Sequence, residues 1–453
     1  MGQCPFSRLS SSVSGSLSGF SRRQFVTTAL SSLAATAVAY AGGEKLARAA
    51  GDALPSNAQA PGAAGDLAST SSNSTAIEPF YGPNQGGITT PTQQHSYFAA
   101  FDLTTANRAD VISLLQKWTQ ASARMTQGQT AEPLPDDLTQ RPTDSGDALG
   151  LSPERLTLTF GFGAGLFSLN GQDRYGLASR RPAALVDLPT FNGDQLVAER
   201  TGGDLSVQAC SDDPLIAFHA VRQLSQIALT LGGGVAKMRW AQTGFQPQAK
   251  GAETSRNLMG FKDGTMQPKT TDNAVWVGSE GPDWMQGGSY VVVRRIRIAL
   301  EHWDRTPVSF QQKVVGRCKY SGAPLGQENE NDPIDLNAVD ADGNPVIPAN
   351  SHVRLAAPAS NGGAELLRRG YSYNDGANFT TERWPPWRQG VEYDAGLFFV
   401  AYQKDPRTAF IPVFTNMAKL DMMNQYTTHN GSGLFACPGG TLEGEYIGQK
   451  LFQ

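Results

Sequence analysis

The stretch Leu205-Ser206-Val207-Gln208-Ala209-Cys210 decides the fold, through what stands on either side of it. It reads as a strand. Asp213-Pro214 follows, a capping acid ahead of a first-turn proline. Ala217, Ala220, Val221, Leu224 and Ala228 then recur at the spacing of one helix face. Residues 237–242 read as a further strand. Upstream, His95–Leu103 reads as a strand, and Arg108–Met125 as a helix with Val111, Leu114, Leu115 and Trp118 on one face. Residues 155–160 alternate Leu and Thr before an apolar end, which marks a half-buried strand. The element order is β-α-β-β-α-β.

The same order recurs downstream. Residues 289–300 predict a strand, 308–318 a helix, 366–373 and 395–402 strands, 407–426 a helix, and 433–437 a last strand. Two such passes predict an α+β fold of tandem ferredoxin-like units, antiparallel sheets with helices packed around them. The boundaries expected are 78–270 and 271–453. The two halves share no visible sequence similarity, so element order alone carries this reading. An acidic, polar insertion at 327–350 interrupts the second pass.

Ahead of the folded part, Ser21-Arg22-Arg23-Gln24-Phe25-Val26 leads a short, mild apolar run. That is the layout of a twin-arginine export signal, expected over 1–49. Small residues suited to cleavage end at Ala41 or Ala49. Residues 50–77, rich in Ala, Ser, Gly and Pro, read as a flexible linker. The expected location is periplasmic or extracellular, with no transmembrane segment in the mature chain.

Several function classes drop out. A net charge of -4 over 453 residues gives no electrostatic footprint for nucleic acid. Cys4 lies in the signal, leaving Cys210, Cys318 and Cys437, an odd number that excludes a fully paired disulfide framework; buried thiols are expected. No Cys-x-x-Cys spacing exists for zinc, iron–sulfur or covalently attached haem. Gly161-Phe162-Gly163-Ala164-Gly165 fails the dinucleotide fingerprint, because its third glycine would fall at Leu166. Residues 335–343 lack calcium-loop spacing. No Gly-x-Ser-x-Gly, His-Glu-x-x-His or Walker sequence is present.

Three features remain. Among five histidines, His219 reads as structural, while His352 follows the insertion and opens the alternating segment His352-Val353-Arg354-Leu355. Gly260-Phe261-Lys262-Asp263-Gly264-Thr265 joins the predicted halves and is unusually apolar for an exposed turn. Its glycines allow close backbone approach to something flat or bulky. Leu366-Leu367-Arg368-Arg369-Gly370-Tyr371 places at least one guanidinium on a buried side, where an anionic partner is expected.

These three motifs, in this order, resemble the GxxDG loop, the proximal histidine segment and the distal arginine segment of the dye-decolourising (DyP-type) haem peroxidase family. Family-like stretches cover nearly all of the folded part. With the twin-arginine signal, the chain resembles the exported branch of that family.

The resemblance implies a tandem ferredoxin-like fold and one haem b per chain, bound without covalent attachment. It implies His352 as the axial ligand of the haem iron, with Asp421 taking its second nitrogen. Asp263 would move the peroxide proton, and Arg368 would stabilise the developing negative charge. Arg369 is adjacent; the motif favours Arg368. Gly264, Thr265, Met266, Ala357, Pro358 and Ala359 would lie along the haem, Arg317 at a propionate, and Leu397 and Phe399 in the distal pocket. The implied activity is reduction of hydrogen peroxide through a ferryl intermediate, with one-electron oxidation of dyes, phenols or other organic donors. Tyr371, Tyr373 and Trp303 are relay candidates for bulky donors. Two alternatives stand beside it: deferrochelatase-type release of iron with the porphyrin kept intact, and non-catalytic haem storage. Iron-uptake components and a homodimer are the protein partners this resemblance allows.

Overall fold

Asn107 and Asp213 show how local sequence sets the first half. Asn107 caps helix α1 (Arg108–Met125) by accepting from the Ala109 amide, and Asp213 caps α2 (Pro214–Thr230) by accepting from Leu215 and Ile216. Both helices lay their apolar faces on strands β1 (His95–Leu103), β2 (Thr157–Phe162), β3 (Leu205–Ser211) and β4 (Ala236–Phe245). The strands pair antiparallel in the order β4-β1-β3-β2. That is the ferredoxin-like order.

The computed structural model describes residues 77–247, 254–268, 274–381 and 389–453. The expected export signal and nearly all of the expected linker, at 1–76, lie outside the described residues. No helix among the described residues is long and apolar enough to cross a membrane.

The second half repeats the plan with β5 (Ser289–Ile298), helices α3 (Val308–Val315) and α4 (His352–Ala356), β6 (Leu367–Arg368), β7 (Tyr371–Thr381), β8 (Gln389–Gln403), α5 (Phe410–Leu420) and β9 (Thr427–Cys437). Its strands run β7-β8-β5-β9. The halves do more than pack together. Phe162 pairs with Ala436 on one side, and Phe245 with Ser372 on the other. The two sheets thereby join edge to edge into one closed sheet, which removes four exposed edges.

Alternation along each strand divides the cores. Phe98 and Ala100 of β1 meet Val291, Val293, Phe398 and Val400 inside the closed sheet. Ala99 and Phe101 point outward beneath α1 and α2. On the second half the outward residues of β5 and β8 face α4 and α5, and the gap between these layers is the site.

Three local readings are corrected. The strand expected at 366–373 is two strands, β6 and β7, both paired to β8 and interrupted at Arg369-Gly370. The helix expected at 407–426 ends at Leu420. Asp421 is extended, and its side chain caps the amide of Met423 to start a separate 3-10 turn, Met422–Gln425. The alternating segment at His352 is a short helix, started by extended Ser351, whose carbonyl accepts from the Leu355 amide. Cys210, Cys318 and Cys437 are buried, as expected.

Candidate functional site

A cavity of about 680 Å³ lies on the outer face of the second sheet. Ile296, Ile298, Leu397 and Phe399 line it from β5 and β8, and Phe410, Phe414 and Met417 from α5. Its size and largely apolar wall suit a cofactor-sized guest.

His352, the first residue of α4, projects into this cavity. Its Nδ1 lies 2.7 Å from Oδ2 of Asp421, which is buried. Oδ1 of Asp421 accepts from the Met423 amide at 2.8 Å. A carboxylate only accepts, so Nδ1 carries a hydrogen, and in the neutral ring Nε2 keeps its lone pair. Burial pulls the pKa of His352 down, but the charge and hydrogen bond of Asp421 outweigh it and leave the ring above the ordinary histidine value.

Asp263 and Arg368 line the same cavity, with Arg368 Nη1 at 3.8 Å from Asp263 Oδ1. Both side chains keep about a third of their surface, 31% and 36%, so neither charge is locked away. Arg368 is fixed from its own backbone: its amide donates to Gln267 Oε1 at 3.0 Å and its Nη2 donates to the Met266 carbonyl at 2.8 Å. The Asp263 amide donates to the Ser255 carbonyl, and Asn257 Nδ2 donates to Asp263 Oδ2 at 3.3 Å. Gly264 sits at φ +118, in a region that residues with side chains rarely adopt.

Arg368 ends β6 while Arg369 lies in the break before β7, and the two side chains diverge. Arg369 is buried on the other side, donating to Gln93 Oε1 at 3.0 Å and to the Thr90 carbonyl. The anionic partner expected for a buried arginine is therefore replaced by neutral amide and carbonyl oxygens.

Gly264, Thr265, Met266, Ala357, Pro358 and Ala359 also border the cavity, and Leu397 and Phe399 point into it together. Arg317 is buried at its edge, and its Nη1 donates to the carbonyls of Gly322 and Glu330 at 2.7 and 3.0 Å. Burial lowers its pKa, with the Arg368 charge acting the same way and Glu330 opposing. Every residue expected at the site is thus brought to one cavity. The relay candidates differ: Tyr371, Tyr373 and Trp303 are all buried, so none is a surface residue. His219 does not line this cavity and is bonded to Asp147 Oδ1 at 2.6 Å.

Two contributions escape the sequence. His429 lines the cavity; its Nδ1 accepts from Arg294 Nε at 3.4 Å, and burial together with that guanidinium lowers its pKa to about 3. A register shift between Arg295 and Ile296 sets His429 opposite Ile296, and only an earlier start to β9 would have signalled it. The insertion supplies Pro333, Ile334 and Leu336 to the cavity wall. Its polar composition concealed that apolar patch.

Residues 85–246 match the family model for the N-terminal part of Dyp-type peroxidases, and 254–442 match the C-terminal part. The chain belongs to the DyP-type peroxidase family. It is 38% identical to the dye-decolorizing peroxidase of Thermobifida fusca, over 82% of this chain and 84% of that protein. It is 37% identical to the deferrochelatase of Escherichia coli K12, over 83% of this chain and 87% of that one. Among solved structures, a DyP-type peroxidase from Streptomyces coelicolor superposes with a TM-score of 0.74 at 40% identity, over 83% of this chain and 97% of its own. DtpA from Streptomyces lividans gives the same score and identity, over 98% of its chain.

Proposed function

We propose that this DyP-type enzyme reduces hydrogen peroxide at one non-covalently held haem b per chain and oxidises dyes, phenols or other organic donors by one-electron steps. The donor set fits haem. One imidazole presents a free Nε2 lone pair, an apolar cavity gives room for a porphyrin, and buried Arg317 stands at its edge for a propionate. A bound haem would supply the redox-active iron; His352 would hold that iron through Nε2, with Asp421 fixing the ring and raising its basicity.

The chain's own groups manage the proton. Asp263 takes a proton from peroxide at a carboxylate oxygen and returns it to the departing oxygen. Arg368 stabilises negative charge on that oxygen and, through its bonds to Met266 and Gln267, stays in place while doing so. Leu397 and Phe399 keep the space narrow and dry. The observation that carries this reading is that the Asp263–Arg368 pair shares a cavity with the Asp421-anchored His352; storage alone needs neither Asp263 nor Arg368. Asp263→Asn should retain haem while the peroxide reaction, followed by stopped-flow absorbance, slows about 100-fold. A wild-type rate would remove Asp263 from the mechanism.

A second reading, release of iron with the porphyrin intact, is favoured by the 37% identity to a deferrochelatase. Free porphyrin recovered after turnover under reducing conditions would support it, and unaltered haem would reject it. The Ser21–Val26 motif supports export by the twin-arginine route. Fractionation of cells carrying Arg22→Lys/Arg23→Lys should show retention inside, and unchanged export would reject that route.

A further inference from the structure

Besides its apolar wall residues, the insertion at 327–350 reaches the site through an acid, Glu330. Glu330 Oε2 meets Lys262 Nζ at 2.5 Å, and Oε1 accepts from Thr265 Oγ1 at 3.0 Å. Thr254 bonds to the same carboxylate. Lys262 and Thr265 flank Asp263-Gly264 directly, while Thr254 lies on the incoming arm, which pairs back through Arg256 and Lys262. The backbone carbonyl of Glu330 meanwhile accepts from Arg317 Nη1 at 3.0 Å.

We propose that Glu330 is a positioning residue for the peroxide site: its carboxylate clamps both arms of the Asp263 loop, and its carbonyl ties that clamp to Arg317. The role rests on the acid–base reading of Asp263 given above.

Three features support a clamp over an incidental surface pair. The Lys262 and Glu330 side chains keep only 14% and 12% of their surface, so water screens the pair weakly. Glycine at 322 makes room for it: its φ is +79, and a Cβ there would stand 2.7 Å from Lys262 Cδ and 3.4 Å from Glu330 Cγ. Three separate loop residues converge on one carboxylate, a number that fixes position as well as charge. Neutralising Glu330 would leave the half-buried Lys262 cation uncompensated beside Asp263. The loop would then shift or loosen, and small misplacements of a reacting group are costly.

The test is a double-mutant cycle on full-length protein, using Glu330→Gln, Glu330→Asp, Asp263→Asn and the Glu330→Gln/Asp263→Asn pair. Glu330→Gln should slow the peroxide reaction about tenfold while leaving KM for an organic donor unchanged. Glu330→Asp should recover part of that loss. The pair should be no slower than Asp263→Asn alone. In haem-free protein, hydrogen exchange of amides 255–268 should quicken in Glu330→Gln. Wild-type rate and exchange in Glu330→Gln would overturn the clamp, as would a full additional loss on the Asp263→Asn background. A wild-type rate in Asp263→Asn would instead defeat the acid–base reading, and loop exchange would then decide the clamp alone.

Discussion

His352 and Asp421 stand 69 residues apart in the chain and meet at 2.7 Å. The contact depends on a helix that stops early. Because α5 ends at Leu420, Asp421 is released to cap Met423 with one oxygen and to hold His352 with the other. A carboxylate committed on both sides cannot turn away, so the imidazole is held in one orientation and one tautomer.

That arrangement predicts a specific defect. Asp421→Ala should weaken hemin binding about 10- to 100-fold, the range for loss of an outer partner to a metal-binding histidine. Titration of haem-free protein with hemin, followed by tryptophan quenching, measures it. Equal affinities would show that Asp421 does not support His352.

The two adjacent arginines should part company on substitution. Arg368→Leu removes the guanidinium that faces Asp263, and the peroxide reaction should slow by at least about tenfold with little change in stability. Arg369→Leu leaves Gln93 and the Thr90 carbonyl without their donor, which should cost about 1–3 kcal/mol of stability. Its peroxide rate should stay near wild type. Urea unfolding and stopped-flow kinetics on both variants test this, and reversed outcomes would exchange the assignments.

His429 gives a pH signature. Burial and the Arg294 guanidinium lower its folded pKa from the ordinary 6.5 to about 3. The unfolded chain therefore binds a proton that the folded chain refuses. Stability contributed by the neutral ring is complete above about pH 6.5 and is lost progressively as pH falls towards 3, with a slope of up to one proton. His429→Gln keeps an acceptor for Arg294 and cannot titrate. Urea unfolding of haem-free protein at pH 7 and pH 5 should show a smaller acid loss in the variant, and identical losses would contradict the assignment.

Much of this was legible beforehand, for reasons that differ by residue. α1 and α2 were readable because Asn107 and Asp213 cap them and their apolar residues recur at helical spacing. Asp263, His352 and Arg368 stand in short motifs where chemistry and backbone needs coincide, as the positive φ of Gly264 shows. What stayed hidden is long-range. No local pattern reports that Phe162 reaches Ala436 and Phe245 reaches Ser372 to close the sheet. His352 to Leu355 showed only an alternating pattern, because a single turn of helix is too short to display its own period. Glu330 looked like one acid among several in a solvated insertion; only the fold brings Lys262, Thr254 and Thr265 to it.

Haem binding through His352 is the central proposal to test. The measurement is the absorption spectrum of purified protein supplied with hemin, for wild type and His352→Ala, before and after one equivalent of peroxide. Wild type should show a Soret band of a five-coordinate histidine haem that changes promptly with peroxide, while His352→Ala loses most of the haem or that spectrum. A wild type with no Soret band, or a variant spectrum indistinguishable from it, would contradict the account.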